Sequence, residues 1–146
     1  MIRTITELTN AVVAELNAES WSQDVIVHKH YRPRYDSTTL SNIFLTVVPR
    51  SYTIDSSSRT HVGCSYVIDL AVQKKLSEES NEELDELISL VEEIANYFRD
   101  RRLAAMPNAL CTKIENEPIY ALEHLDEIRC FTSIITLTFL VLHDRA

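Results

Sequence analysis

The feature that most constrains this fold is a long amphipathic segment, residues 78–102, that separates two segments of alternating polarity. Its apolar residues recur at intervals of three and four, which places them on one stripe of a helix: Leu84, Leu87, Ile88, Val91, Ala95 and Phe98. Acidic residues fill its first turns, and Arg99, Arg101 and Arg102 come at its end, which matches the helix macrodipole. The segment therefore predicts a helix with one buried face.

The solvent face of this predicted helix is acidic. Between residues 78 and 93 there is no Lys or Arg, and the acidic residues are Glu78, Glu79, Glu82, Glu83, Asp85, Glu86, Glu92 and Glu93. With no catalytic motif around it, a helix of this kind points toward assembly rather than chemistry.

Alternating segments on both sides of the helix predict strands. In residues 64–73 one face carries Cys64, Tyr66, Ile68, Leu70 and Val72, and the other carries Ser65, Asp69 and Gln73. In the last segment Phe131, Ile135, Leu137 and Phe139 share a face, with Thr132, Thr136 and Thr138 opposite. This alternation is typical of a sheet that is wet on one side.

The remaining elements follow from local signals. A capping box of Thr4 and Glu7 predicts a helix over residues 5–17, and residues 120–127 predict a short helix with Leu122 and Leu125 inward. Strands are expected over residues 25–34, 42–48 and 112–117. Pro33 makes the first an edge strand or marks a strand end, and the second stops at Pro49. The order α-β-β-β-α-β-α-β predicts one α+β domain, residues 1–146, with a mixed or antiparallel sheet of four to five strands and helices packed on one face.

Composition excludes several classes of function. A net charge of −8 argues against general nucleic-acid binding, which needs clustered Lys and Arg. A single glycine, Gly63, cannot build a dinucleotide-binding fingerprint or a P-loop. Three widely spaced cysteines fit a reduced cytosolic compartment, and the sequence supports neither a signal peptide nor a membrane span.

Three groups of residues could carry chemistry, but each has a plainer interpretation. His28 and His30 have a metal-ligand spacing, or they lie on an ordinary exposed strand. His61, Cys64 and Asp69 could form a base, a nucleophile and an orienting acid, but the alternation makes Cys64 a core residue. The acid groups Glu123, Asp126 and Glu127, and Glu92 with Glu93, are expected on solvated faces. We expect no catalytic residue, cofactor or metal.

Residues 50–62 are Ser-rich and predict a protruding loop. Tyr52 and Ile54 indicate that it contacts something, because a purely solvated loop gains little from them. The segment is either an arm that contacts a neighbouring subunit or a plain mobile loop, and phosphorylation is a further option. For the arm, the expected interface residues are Tyr52, Ile54, Ser56, Ser57 and Arg59.

The chain resembles the tail terminator proteins of long-tailed bacteriophages over nearly its whole length. The similarity lies in the N-terminal helix, the strand that ends Asp69–Lys75, the Glu-rich helix with Leu84, Leu87, Glu92, Glu93 and Ile94, and the last strand with Phe131, Ser133, Thr136 and Thr138. It implies a small α+β subunit of a hexameric ring in the virion, assembled in the host cytoplasm. It also implies that the ring caps the tail tube, binds the tube protein and a head-completion protein, and carries no catalytic residues.

An acidic ring lining is compatible with this role, because like charge keeps passing DNA from adhering. The expected lining residues are Glu78, Glu79, Glu82, Glu83 and Glu86, unless the helix faces outward. We expect no membrane partner. The alternatives are a head-completion or tube-like connector protein and, in a different class, a small cytosolic enzyme.

Overall fold

A computed structural model describes residues 4–29, 42–56, 61–76 and 81–144, which form three helices and six strands. The helices are α1 (Thr4–Ala18), α2 (Asn81–Phe98) and α3 (Leu122–Ile128). The strands are β1 (Val25–Lys29), β2 (Ile43–Ser56), β3 (His61–Lys75), β4 (Arg102–Leu103), β5 (Met106–Glu115) and β6 (Cys130–Asp144). The α+β class is confirmed, but the expected four to five strands become six because β4, of two residues, is too short to leave a pattern.

The six strands form one mixed sheet in the order β1-β2-β3-β6-β5-β4. β1 runs parallel to β2 and lies at an edge of the described sheet, which agrees with the first of the two alternatives that Pro33 left open, while the other neighbours are antiparallel. β3 and β6 form the centre and pair from His61 opposite Asp144 to Lys75 opposite Cys130. This long central ladder fixes which residues of both strands share a face.

The main core lies between one face of the sheet and the helices α1 and α2. The face predicted for β3 is confirmed, because Cys64, Tyr66, Ile68, Leu70 and Val72 are all at most 5% exposed. The apolar face of β6 is likewise buried, and the helices cover it with Leu8, Val12, Leu16, Leu87, Leu90, Val91, Ile94 and Phe98. Burial of these side chains is the largest favourable term in folding.

The prediction of a wet opposite face is wrong at one end of the sheet. Gln73 is fully buried, as are Thr46 and Thr132, and Phe44 packs with Cys130 in a small second cluster. One cause is α3, which contacts this face through a bond of 2.9 Å between His124 Nδ1 and Thr132 Oγ1.

The predicted loop over residues 50–62 is wrong where the structure describes it, because β2 does not stop at Pro49. The strand continues to Ser56, and β3 already begins at His61. A register shift between Pro49 and Ser51 accommodates the proline. β1, as far as the structure describes it, pairs with residues 43–47 of β2, so no described residue requires an N–H from the proline on that side.

The helix predicted over residues 78–102 is shorter at its carboxyl end. α2 ends at Phe98 because Asp100 adopts a left-handed backbone conformation, with φ of 53°, and the chain then enters β4. Arg101 folds back on the helix, donating from Nε to the Tyr97 carbonyl oxygen over 2.8 Å. In α3, Leu122 was expected inward but is 59% exposed, whereas Leu125 packs against the core.

A buried carboxylate, Glu15 of α1, links three elements and was not predicted. It accepts hydrogen bonds from the Tyr97 hydroxyl of α2 and, over 2.9 Å, from the backbone N–H of Ala104 next to β4. Burial and this carboxylate raise the pKa of Tyr97 to about 12. Glu15 is only 8% exposed, and these two donors satisfy its carboxylate in place of water.

Glu15→Ala should lower the free energy of unfolding by about 1–3 kcal/mol, because the Ala104 N–H and the Tyr97 hydroxyl lose their acceptor. The measurement is urea denaturation followed by circular dichroism. Glu19→Ala is the matched control, since Glu19 is an exposed acid just beyond α1. Equal stability of the two variants would show that the Glu15 bonds contribute nothing.

Candidate assembly surfaces

Residues 50–56, called here the β2 extension, carry two exposed apolar side chains. Tyr52 is 56% and Ile54 59% exposed, although they pair in register with the buried residues Tyr66 and Cys64. The rings of Tyr52 and Tyr66 lie 5.7 Å apart. The pair therefore continues the core-forming face of the sheet, at a place where it is not covered.

The outer backbone edge of the β2 extension is also open. β1 covers only residues 43–47, and among the described residues no strand pairs with the extension on that side. An open edge with exposed apolar side chains is a ready template for pairing with another chain. Of the other expected interface residues, Ser56 ends β2, while Ser57 and Arg59 lie outside the described residues.

Polar bonds anchor the base of the extension on the opposite face. Asp69 of β3 accepts a hydrogen bond of 2.9 Å from the Thr136 hydroxyl and lies 3.5 Å from the Arg50 guanidinium. Exposed ion pairs of this kind contribute little stability, but they orient the strand.

The acidic face of α2 is smaller than the sequence indicated. Glu83 is partly buried and forms a 3.1 Å ion pair with Lys74 of β3, while Glu93 accepts a hydrogen bond from the Ser22 backbone N–H. Glu78 and Glu79 lie outside the described residues. The exposed acids of the helix are Glu82, Asp85, Glu86 and Glu92.

An open groove of about 280 Å³ lies between the last turns of α2 and β5. It is lined by Ala95, Cys111 and Ile114 and by the exposed residues Arg99 and Asp100. Lys113 also borders it, and its side chain forms a 3.1 Å ion pair with Glu115. Sequence reasoning missed this groove because α2 and β5 become neighbours only through packing, and no spacing in the chain signals it.

The groups that could have carried chemistry do not converge. His28 stacks on Phe44, with ring centroids 5.2 Å apart, and His30 lies outside the described residues. Cys64 faces the core, whereas Asp69, five residues along the strand, faces the other side, so they cannot form a relay.

The acidic residues considered for catalysis, and the possible metal ligands, also form no site where the structure describes them. Glu123 is exposed on α3, and the side chains of Asp126 and Glu127 lie outside the described part of the chain. Within residues 4–29, 42–56, 61–76 and 81–144, no three His, Cys, Asp or Glu residues are grouped as metal ligands would be.

Comparison with models of known protein families finds none that matches this chain, and comparison with curated proteins finds no significant match. Among the described residues no helix combines the length and the apolar character needed to cross a membrane.

The Cys111 thiol at the groove floor should react slowly with iodoacetamide. Desolvation raises its pKa to about 11, so at pH 8 its thiolate fraction is roughly a hundredfold below that of an ordinary cysteine. Peptide mass spectrometry of native and urea-unfolded protein measures the two rates. Similar rates in both states would contradict the burial of this thiol.

Proposed function

We propose that this chain is a structural, non-enzymatic virion subunit of the tail terminator type. Copies assemble into a ring, a hexamer in the resembling family, that caps the tail tube and joins it to the neck. Its partners are the tube protein on one face and a head-completion protein on the other, and DNA passes through without specific binding. The proposal rests on the resemblance in sequence and on the surfaces described above.

The observation that carries the proposal is the β2 extension. Tyr52 and Ile54 are more than half exposed, beside a strand edge with which no described residue pairs, so this face gains from contact with another chain. Nothing in the groups of His, Cys, Asp and Glu described above offers a comparable basis for catalysis.

Capping follows from ring closure. Subunits that contact head to tail, through two different surfaces, form a ring when their rotation closes and a filament when it does not. In a closed ring every lateral surface is used, so the two ends are free to differ. One end can match the tube while the other fails to recruit a further tube subunit.

The acidic lining is part of the same proposal, and it is limited here to the predicted lining residues that the structure shows to be exposed. Glu82 and Glu86 are exposed on α2, whereas Glu83 is engaged with Lys74 and is left out. If this face lines the lumen, symmetry repeats the negative charge around the axis and repels phosphate.

Replacing Tyr52 and Ile54 together by Ser should weaken self-association at least about tenfold, because each buried apolar side chain contributes roughly 1.5–3 kcal/mol. The fold should persist, since both side chains are already exposed. Substitution is preferable to deletion because the backbone of this segment pairs with β3. Sedimentation velocity over a concentration series gives the dissociation constant.

The matched control replaces Ile119 and Leu122 by Ser, which removes two exposed apolar side chains elsewhere. If both double variants associate like the original chain, the β2 extension is not the contact surface. A wild-type chain that instead grows into filaments of unlimited length would favour a tube-like connector.

Glu82→Lys combined with Glu86→Lys should slow DNA passage through assembled tails while leaving the ring intact. The reason is that lysines attract phosphate where glutamates repel it. Glu117→Lys with Glu123→Lys is the control, with the same change of charge at exposed acids away from α2. DNA release from particles carrying either variant is measured by fluorescence, and normal release with the α2 variant would overturn the lining.

A further inference from the structure

Three buried side-chain atoms in the described part of the chain have no hydrogen-bond partner, and all lie on the face of the sheet opposite α1 and α2. They are Oγ1 of Thr46 in β2 and both polar atoms, Oε1 and Nε2, of the Gln73 amide in β3. Thr46 is only 1% exposed and Gln73 is fully buried. Because a buried amide or hydroxyl without a partner opposes folding, native proteins retain few such groups. These two side chains therefore require a partner that the described chain does not supply.

The strand register makes Thr46 and Gln73 neighbours. Thr46 pairs with Ala71 of β3, and Gln73 comes two residues after Ala71, so all three side chains leave the same face. Thr46 and Gln73 are thus diagonal neighbours on adjacent strands, with Cβ atoms about 7 Å apart. At this separation one small molecule can bond to both side chains, because each hydrogen bond spans about 3 Å between heavy atoms.

Ala71 leaves room for such a molecule. Its side chain is a single methyl group, and the residue is 1% exposed, between Thr46 of β2 and Ile134 of β6. Phe44, which lies opposite Gln73 on β2, is also buried. The space over the methyl group is therefore bordered by larger side chains and closed to solvent. These limits select a very small polar ligand, which in solution is water.

Two other polar side chains on this face do not serve as partners for Thr46 or Gln73. Thr132 lies opposite Gln73 on β6, but its hydroxyl is 2.9 Å from His124 Nδ1 of α3. His28 lies opposite Thr46 on β1, and no hydrogen bond joins the two. A water molecule in this space would therefore have the Thr46 hydroxyl and the Gln73 amide to itself.

We propose that an internal water molecule binds over the Ala71 methyl group and bridges β2 and β3 through Thr46 and Gln73. Its oxygen accepts from Gln73 Nε2, and its two O–H groups donate to Gln73 Oε1 and Thr46 Oγ1. One molecule thus satisfies all three atoms, and about three bonds is the usual number for a buried water. This site does not depend on the proposed ring function.

The direct test is a rotating-frame Overhauser measurement on the isotope-labelled full chain. The side-chain amide protons of Gln73 should show a dipolar cross-peak to water, whose sign distinguishes it from chemical exchange. Asn116 is the matched control, because its Nδ2 donates to Ser133 Oγ and to the Ile134 carbonyl oxygen over 2.8 Å each. Its amide protons already have acceptors in the protein, so they should lack this cross-peak.

A second test uses Thr46→Val and Gln73→Met, which replace each polar group by an apolar group of similar size. Because both side chains share one water, their effects on the unfolding equilibrium constant in urea should depart from multiplicativity by at least about twofold. Thr46→Val with Thr136→Val is the control pair, since Thr136 bonds to Asp69 and shares no partner with Thr46. The effects of this pair should multiply.

Thr46→Val alone should also weaken the cross-peak between Gln73 and water, because the water loses one of its three bonds. The water site is refuted if Gln73 of the unaltered chain shows no cross-peak to water. It is equally refuted if the effects of Thr46→Val and Gln73→Met multiply as those of the control pair do.

Discussion

The pairing of β3 with β6 is the interaction on which the rest of the structure depends. Two strands of 15 residues pair over their whole length at the centre of the sheet. Their register decides that Ile68 and Leu137 meet the helices, while Asp69 and Thr136 meet on the other face. A slip of one residue would turn Asp69 into the core, where an unpaired carboxylate is very costly.

The same arrangement determines where contact surfaces can lie. The middle strands and both long helices bury most of their apolar residues in one core. At the edge of the described sheet, Tyr52 and Ile54 of the β2 extension stay exposed. Glu15 ties α1 to α2 and to the start of the β4–β5 hairpin, which holds the end of α2 above β5. The groove lies between these connected elements, and the β2 extension belongs to the strand on the other side of the β3–β6 pair.

Strictly periodic segments were predictable from sequence because burial differs between their two faces. The face of β3 and the stripe of α2 follow directly from spacing. The prediction that β2 stops at Pro49 was wrong because a proline ends a central strand, whereas no described residue pairs with Pro49 on its outer side. The arginines after Phe98 did not predict where α2 ends, because the left-handed backbone conformation of Asp100 ends the helix. Glu15 was visible as an acid on an apolar stripe, but its partners are 82 and 89 residues away. Among the candidate surface features, Tyr52 and Ile54 could be recognised in the sequence as apolar residues in a polar segment. The groove could not be recognised from the sequence.

The central claim is that identical copies act together in a closed ring, with the β2 extension as one of the contact surfaces. Sedimentation velocity of the unaltered chain over increasing concentration, with native mass spectrometry to fix the mass, tests it most directly. The account predicts a single closed oligomer of one discrete mass that does not grow further. A chain that remains monomeric throughout, or that extends without limit, would contradict it.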